Sequence, residues 1–219
     1  MLHILSPFIY ILFVKLLLIL PPCPKSHIMI TLRKYHNIVL STLSFLMFIG
    51  IVLANLLSGK LHNTRSLLCK PYNYNIFSII TTKTFLYSKY LEWGDTVFIH
   101  LSGKPISQLQ YTHHLTTAFL MYMNMVDYLS PHLFVFISLN CLVHTWMYWY
   151  FAYPKGLLYR YRKMITISQI IQHIVCLLTI IYTSTLKNCH QNKYGNICGF
   201  CMYMMYLFYF VLFYKKMYK

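Results

Sequence analysis

Apolar windows of about 20 residues, the length that crosses a bilayer core, recur seven times along this 219-residue chain. They fall at roughly 4–20, 37–57, 76–100, 107–127, 132–152, 165–185 and 198–214. No other feature limits the fold as strongly, and composition agrees with it. Hydrophobic residues make up 58% of the chain and charged residues 10%, and the mean hydropathy is +0.53. A soluble domain of this size has no use for so much apolar surface. The fold class read from this is an all-α integral membrane protein. Residues 1–219 form a single multi-pass membrane domain with about seven transmembrane helices and no repeat, linker or soluble module. The first window resembles a signal peptide in being followed by PPCP. It lacks a basic leading segment and a small-residue cleavage site, and Lys15 lies inside it, so a retained helix is expected.

Orientation follows from Lys and Arg in the short connections. One side carries Lys60, Arg65, Lys70, Lys187 and Lys193. The other carries Lys25, Arg33, Lys34, Lys104, Lys155, Arg160, Arg162, Lys163, Lys215, Lys216 and Lys219. The richer side is expected to face the cytosol, which leaves the N-terminus lumenal and the C-terminus cytosolic. With a formal net charge of +16, that face should attract anionic lipid or a phosphorylated ligand. A basic face is also ordinary topology signalling and does not by itself define a site.

Against this background the scarcity of acids is informative. Only Glu92, Asp95 and Asp127 are acidic, and two of them stand in SKYLEWGDT, with Lys89 three residues upstream of Glu92. On a helix Lys89, Glu92 and Asp95 share one broad face. Charges inside a span are costly and normally face the protein interior in pairs. Such a cluster can simply hold helices together, or it can serve a reaction.

Polar residues recur at helical spacing in the next three spans. QLQYTHHL places Gln110 and His113 one turn apart, with His114 adjacent. NCLVHTWMYWY sets Asn140, His144 and Tyr148 four residues apart. TISQIIQH repeats the pattern with Thr166, Gln169 and Gln172. A lone histidine in a span is often a packing residue. Four neighbouring spans turning polar faces inward at similar depth indicate a site.

Taken in order, K-x-x-E-x-x-D-T at 89–96, the box ending His113-His114, N-x-x-x-H-x-x-M-Y-x-Y at 140–150 and T-x-x-Q-x-x-Q at 166–172 resemble the ELO family of very-long-chain fatty acid elongases. The likeness is dense over residues 85–173 and rests on hydropathy beyond them, apart from YHN at 35–37, which resembles a family YN. The resemblance implies a 3-oxoacyl-CoA synthase of the endoplasmic reticulum membrane. Such an enzyme joins a long-chain acyl-CoA to malonyl-CoA and releases carbon dioxide and CoA, with no cofactor and no bound metal. Six of the helices would enclose a tunnel for the acyl chain. The expected partners are acyl-CoA, malonyl-CoA and membrane lipid, with transient contact to the other enzymes of the elongation cycle and self-association into a homo-oligomer. No nucleic-acid partner is expected.

Within that frame His113 is the expected nucleophile, forming an acyl-imidazole, and His144 the second imidazole beside it; His114 completes the box. Lys89, Asn140 and Gln169 can donate hydrogen bonds to a developing enolate oxygen, and Glu92 and Asp95 orient Lys89 and the histidines. Gln110, Tyr148, Thr166, Gln169 and Gln172 are expected to contact substrate, and Lys155, Arg160, Arg162 and Lys163 to meet the CoA phosphates. Cys141 is the one cysteine within the matched stripes, and Cys198 and Cys201 are read as packing thiols. One position departs from the family box, which usually begins with histidine: here it is Gln110, which can hydrogen-bond but cannot carry a proton. That leaves a catalytically impaired elongase-like subunit as an alternative. A seven-span receptor or transporter is a second alternative, predicting a ligand or ion response without acyl-CoA consumption. A di-iron desaturase would need several more histidine boxes than this chain contains.

Overall fold

The computed structural model describes residues 2–24, 26–71, 75–125 and 129–218, and every described regular element is helical. Lys25 and Lys219 of the orientation argument, and the third acid, Asp127, lie outside the described residues. A 3₁₀ turn at Leu2–Leu5 leads into α1 (Ser6–Leu17). Next come α2 (His27–Leu57), the short α3 (Thr64–Cys69), α4 (Ile76–Leu91) and α5 (Trp93–Leu101). The chain continues through α6 (Gln108–Met123), α7 (Leu133–Ala152), α8 (Arg162–Thr185) and α9 (Lys193–Tyr218).

The starts of these helices are written locally. Ser26, Asn63 and Ser107 each accept a hydrogen bond from a backbone N–H of the first turn, which satisfies donors that the helix leaves unpaired. Asn75 and Ser78 form a reciprocal capping box at α4. The Asn75 amide also donates to the Ala54 carbonyl and the Ser58 hydroxyl, tying the start of α4 to the end of α2. Beyond α2 and α5 the chain reverses at Gly59 (φ 62°) and Gly103 (φ 71°), a left-handed conformation that a side chain would strain.

The helices close into a ring in the order α2, α7, α8, α9, α6, α4 and back to α2, with α1 packed outside against α5 and α6. Met47, Ile51, Phe85, Leu86, Met121, Phe134, Ile137 and Ile180 fill the centre. Outward faces stay apolar, as at Leu46 and Leu53 on α2, Leu178 and Ile181 on α8, and Phe208 and Leu212 on α9. An apolar exterior around a packed interior is what lipid solvation requires.

Among the described residues, four helical runs are long and apolar enough to cross a membrane: His27–Leu57, Leu133–Ala152, Leu157–Thr185 and Lys193–Tyr218. The other three windows of the sequence are helical but differ in form. The first contains a helix of only 12 residues. The fourth contains α6, of 16 residues. The third divides into α4 and α5 at Glu92, where the charged residues interrupt the apolar run.

A disulfide joins Cys69, at the end of α3, to Cys189, between α8 and α9, across 120 residues of sequence. The same two connections are fastened by His190 N–H to the Cys69 carbonyl at 3.0 Å and by the Arg65 guanidinium to the Lys187 carbonyl at 3.1 Å. Nothing in the cysteine spacing announces this pairing, because bridge connectivity cannot be read from sequence. Closing so long a loop restricts the unfolded chain, so Cys69→Ser should lower stability by about 2–4 kcal/mol. A lower thermal midpoint for the variant, with wild type showing the same loss only under reductant, is the expected outcome; equal midpoints would contradict it.

Candidate active site

Lys89, in the last turn of α4, is 3% exposed and Glu92, at the break, 2%. The Lys89 ammonium donates to Glu92 Oε1 at 2.8 Å and to Asn140 Oδ1 on α7 at 3.0 Å. With its oxygen so engaged, the Asn140 amide donates to His144 Nε2 at 3.2 Å, which leaves the imidazole proton on Nδ1, 3.6 Å from Glu92 Oε1. Two charges and a histidine thus share one network between α4 and α7. Further hydrogen bonds make a buried pair more tolerable, and Asn140 supplies one to Lys89, while Glu92 Oε2 is left without a partner in the protein.

Asp95 belongs to a different group. It lies one turn further, in α5, where Oδ1 is 3.0 Å from His36 Nε2 of α2 and Oδ2 accepts from the Tyr148 hydroxyl at 2.8 Å. His114 Nε2 is 4.0 Å away. The shared face expected for Lys89, Glu92 and Asp95 is therefore divided at the helix break, and each acid serves its own neighbours. Gly94 is what lets His36 approach: a Cβ there would meet His36 Cε1 at 2.6 Å. Thr96 and the Tyr10 hydroxyl, 2.8 Å apart, tie α1 to the same turn.

His113 and His114 stand side by side on α6, ring centroids 5.5 Å apart. His114 is buried, and the ring of His113 meets that of Tyr206 on α9 edge-on at 5.0 Å. Glu92, Asp95, His113, His114, Asn140, His144 and Tyr148 border one cavity of about 650 Å³. Of the residues selected from sequence, Glu92, Asp95, Gln110, His113, His114, Asn140, His144, Tyr148, Thr166, Gln169 and Gln172 line it. Lys89 stands behind them, on a smaller recess. Gln169 spends its amide on Met147 Sδ at 3.1 Å.

The basic loop divides. Arg162 lines the cavity. Lys155, Arg160 and Lys163 are exposed and not among the lining residues, and Lys163 lies 5.7 Å from the Tyr214 ring. Arg33 on α2 and Lys104, beyond α5, border the cavity instead. Arg33 had no sequence signal beyond its charge. His36 and Asn37 fall in the YHN stretch, and His173 follows Gln172 directly and stands four residues after Gln169, a spacing that puts it on the face of that glutamine. Several buried atoms around the cavity have no partner in the protein, among them Glu92 Oε2, Gln110 Nε2, His113 Nδ1 and His114 Nδ1. Unpaired polar atoms cost free energy that a bound substrate or water can recover.

The molecule is thus a helical membrane protein whose polar residues converge on one cavity. Its family is shown by comparison: residues 2–219 match the ELO (GNS1/SUR4) family, and the chain belongs to it. It is 36% identical over 142 residues to fatty acid elongase A of Dictyostelium discoideum, covering 64% of this chain and 52% of that protein. It is 32% identical over 146 residues to putative fatty acid elongase 2 of Schizosaccharomyces pombe, covering 60% of this chain and 40% of that one. Against fatty acid elongase 2 of Trypanosoma cruzi the identity is 29% over 190 residues, 80% of this chain and 68% of the relative. The chain spans roughly half the length of the first two.

Removing one partner of the Lys89–Glu92 pair strands the other charge in an apolar interior. Glu92→Gln should destabilise the fold by about 3–5 kcal/mol, read as lost folded yield and a lower thermal midpoint in detergent. Unchanged stability would show the pair to be solvated. Gly94→Ala should drive His36 off Asp95, read as a lower thermal midpoint in detergent; an unchanged midpoint would show that the ring shifts without cost.

Proposed function

We propose that this protein catalyses the condensing step of fatty acid elongation, joining a long-chain acyl-CoA to malonyl-CoA to give a 3-oxoacyl-CoA, CO₂ and CoA. The observation that carries the reading is the placement of His113 and His144 on two helices around one cavity, His144 held by Asn140 and His113 packed edge-on against the Tyr206 ring. His113 attacks the thioester and holds the acyl group as an acyl-imidazole. His144, held by Asn140 and facing Glu92, is the second imidazole at the centre. Asn140, which lines the cavity, supplies a hydrogen bond where the enolate oxygen of decarboxylating malonyl-CoA develops charge, and the Lys89 ammonium bonded behind it adds positive charge. Arg33, Lys104 and Arg162 at the cavity attract the CoA phosphates, and Leu109, Phe151, Ile165, Phe210 and Phe213 offer the acyl chain an apolar wall.

The same reading places the protein in the endoplasmic reticulum membrane with seven spans, six of them around an acyl tunnel. The N-terminus is lumenal and the C-terminus cytosolic. Two observations support this orientation. The basic cavity residues fall on the side rich in Lys and Arg. The Cys69–Cys189 bridge joins the two loops assigned to the other side, where an oxidising lumen sustains disulfides. The partners are the acyl-CoA substrates, membrane lipid, the reductase and dehydratase that complete the cycle, and a second copy of the chain.

Membranes carrying the protein, supplied with labelled malonyl-CoA and a panel of acyl-CoAs, test the reading. His113→Ala should fold and insert, yet lose about 10³-fold or more in turnover. Near-normal turnover in that variant would remove the nucleophile assignment. Gln110 raises the alternative of an impaired subunit. If a hydrogen bond suffices at this position, Gln110→His changes turnover little; a gain of about tenfold, roughly 1.4 kcal/mol of barrier, would mark the natural protein as an impaired elongase.

A further inference from the structure

Behind the nucleophile lies a second, smaller space. A recess of about 50 Å³ is bordered by His113 and Thr117 of α6, Asn140 of α7, and Gln172 and His173 of α8. Three of these residues carry a buried side-chain atom with no partner in the protein: His113 Nδ1, Thr117 Oγ1 and His173 Nδ1. His173 is 3% exposed and Thr117 9%. Buried polar atoms are rarely left unpaired, and the three residues that carry these all border the one recess. A water needs only about 10–15 Å³ and two to four polar partners, and the recess supplies both. His173 also borders the main cavity. Its ring packs against Tyr203, Tyr206 and Phe210 at centroid distances of 5.9, 5.5 and 5.2 Å, and Tyr206 is the residue that His113 meets edge-on. The two imidazoles flank one tyrosine ring, at 5.0 and 5.5 Å from its centroid, and both border the recess.

We propose that this recess is a water site and that, through it, His173 is the proton carrier for His113. The proposal rests on the condensing reaction above. His113 Nε2 bonds to the acyl carbon as the carbon–sulfur bond breaks and its electron pair leaves on sulfur. The proton on His113 Nδ1 then passes through the recess water to His173, leaving a neutral acyl-imidazole. The departing thiolate takes a proton from solvent, the one proton that the overall reaction consumes. Malonyl-CoA next loses CO₂. The electron pair released forms the new carbon–carbon bond, the His113–carbon bond breaks, and His173 returns its proton to His113 Nδ1. Gln110 cannot take this part, because an amide carries no proton between partners; His173 supplies the imidazole from a different helix.

The test compares His173→Phe and His173→Gln in membranes, with labelled malonyl-CoA and acyl-CoA. Phenylalanine fits the aromatic surroundings of His173 but cannot bind water. Glutamine holds a water without carrying its proton. Both variants should lose about 10²-fold or more in kcat, the size of a missing acid–base group, with KM unchanged. Normal turnover in His173→Phe would overturn the proposal. So would a glutamine variant that works while the phenylalanine one fails, since His173 would then only hold a water. Should the phenylalanine variant not fold, the glutamine variant alone decides by the same criterion. Wild-type membranes that incorporate no malonyl-CoA would instead overturn the condensing reaction itself, and the relay with it.

Discussion

The buried Lys89–Glu92 pair is the constraint on which the rest of the molecule depends. Two opposite charges lie almost fully removed from solvent at the junction of α4 and α5. They persist there because Asn140 takes a second ammonium proton and His144 faces the carboxylate. The pair thereby fixes the approach of α4 to α7. It also sets the tautomer of His144, since the Asn140 oxygen that accepts from Lys89 leaves the amide N–H for the imidazole. Stability and chemistry rest on the same atoms, and a change of one residue there disturbs both.

The break between α4 and α5 gives the two acids separate work. Glu92 stays with Lys89 and His144, whereas Asp95 is carried round to His36 and Tyr148. The second group binds α2, α5 and α7 together beside the cavity, and Gly94 leaves the space it needs. A continuous helix would have kept both acids on one face and repelled like charge against like in a medium of low dielectric.

The bundle is closed at one end and accessible at the other. Near the α8–α9 connection the Cys69–Cys189 bridge and the Arg65 and His190 hydrogen bonds fasten the loops. His132, Asn196, Asn192 and Ser130 add a buried polar network close by. Away from that network Arg33, Lys104 and Arg162 border a cavity that runs inward to the histidines. A fastened end and a basic, accessible one suit a ligand with an anionic head and an apolar body.

The sequence by itself determined the solvent, the helical class and the inward-facing stripes. Apolar runs dictate burial in lipid, and the 3.6-residue period dictates which side chains share a face. Hence Gln110 with His113, Asn140 with His144 and Tyr148, and Thr166 with Gln169 and Gln172 were legible, and all border one cavity. What periodicity cannot convey is which face meets which, because that depends on contacts between residues far apart in the chain. Only the tertiary structure decided that Asp95 pairs with His36 rather than Lys89. It alone joined Cys69 to Cys189 and set Arg33 and Lys104 beside the cavity in place of most of the basic loop. His173 shares the helix face of Gln169, but its tyrosine neighbours come from α9, and no local pattern could have announced them.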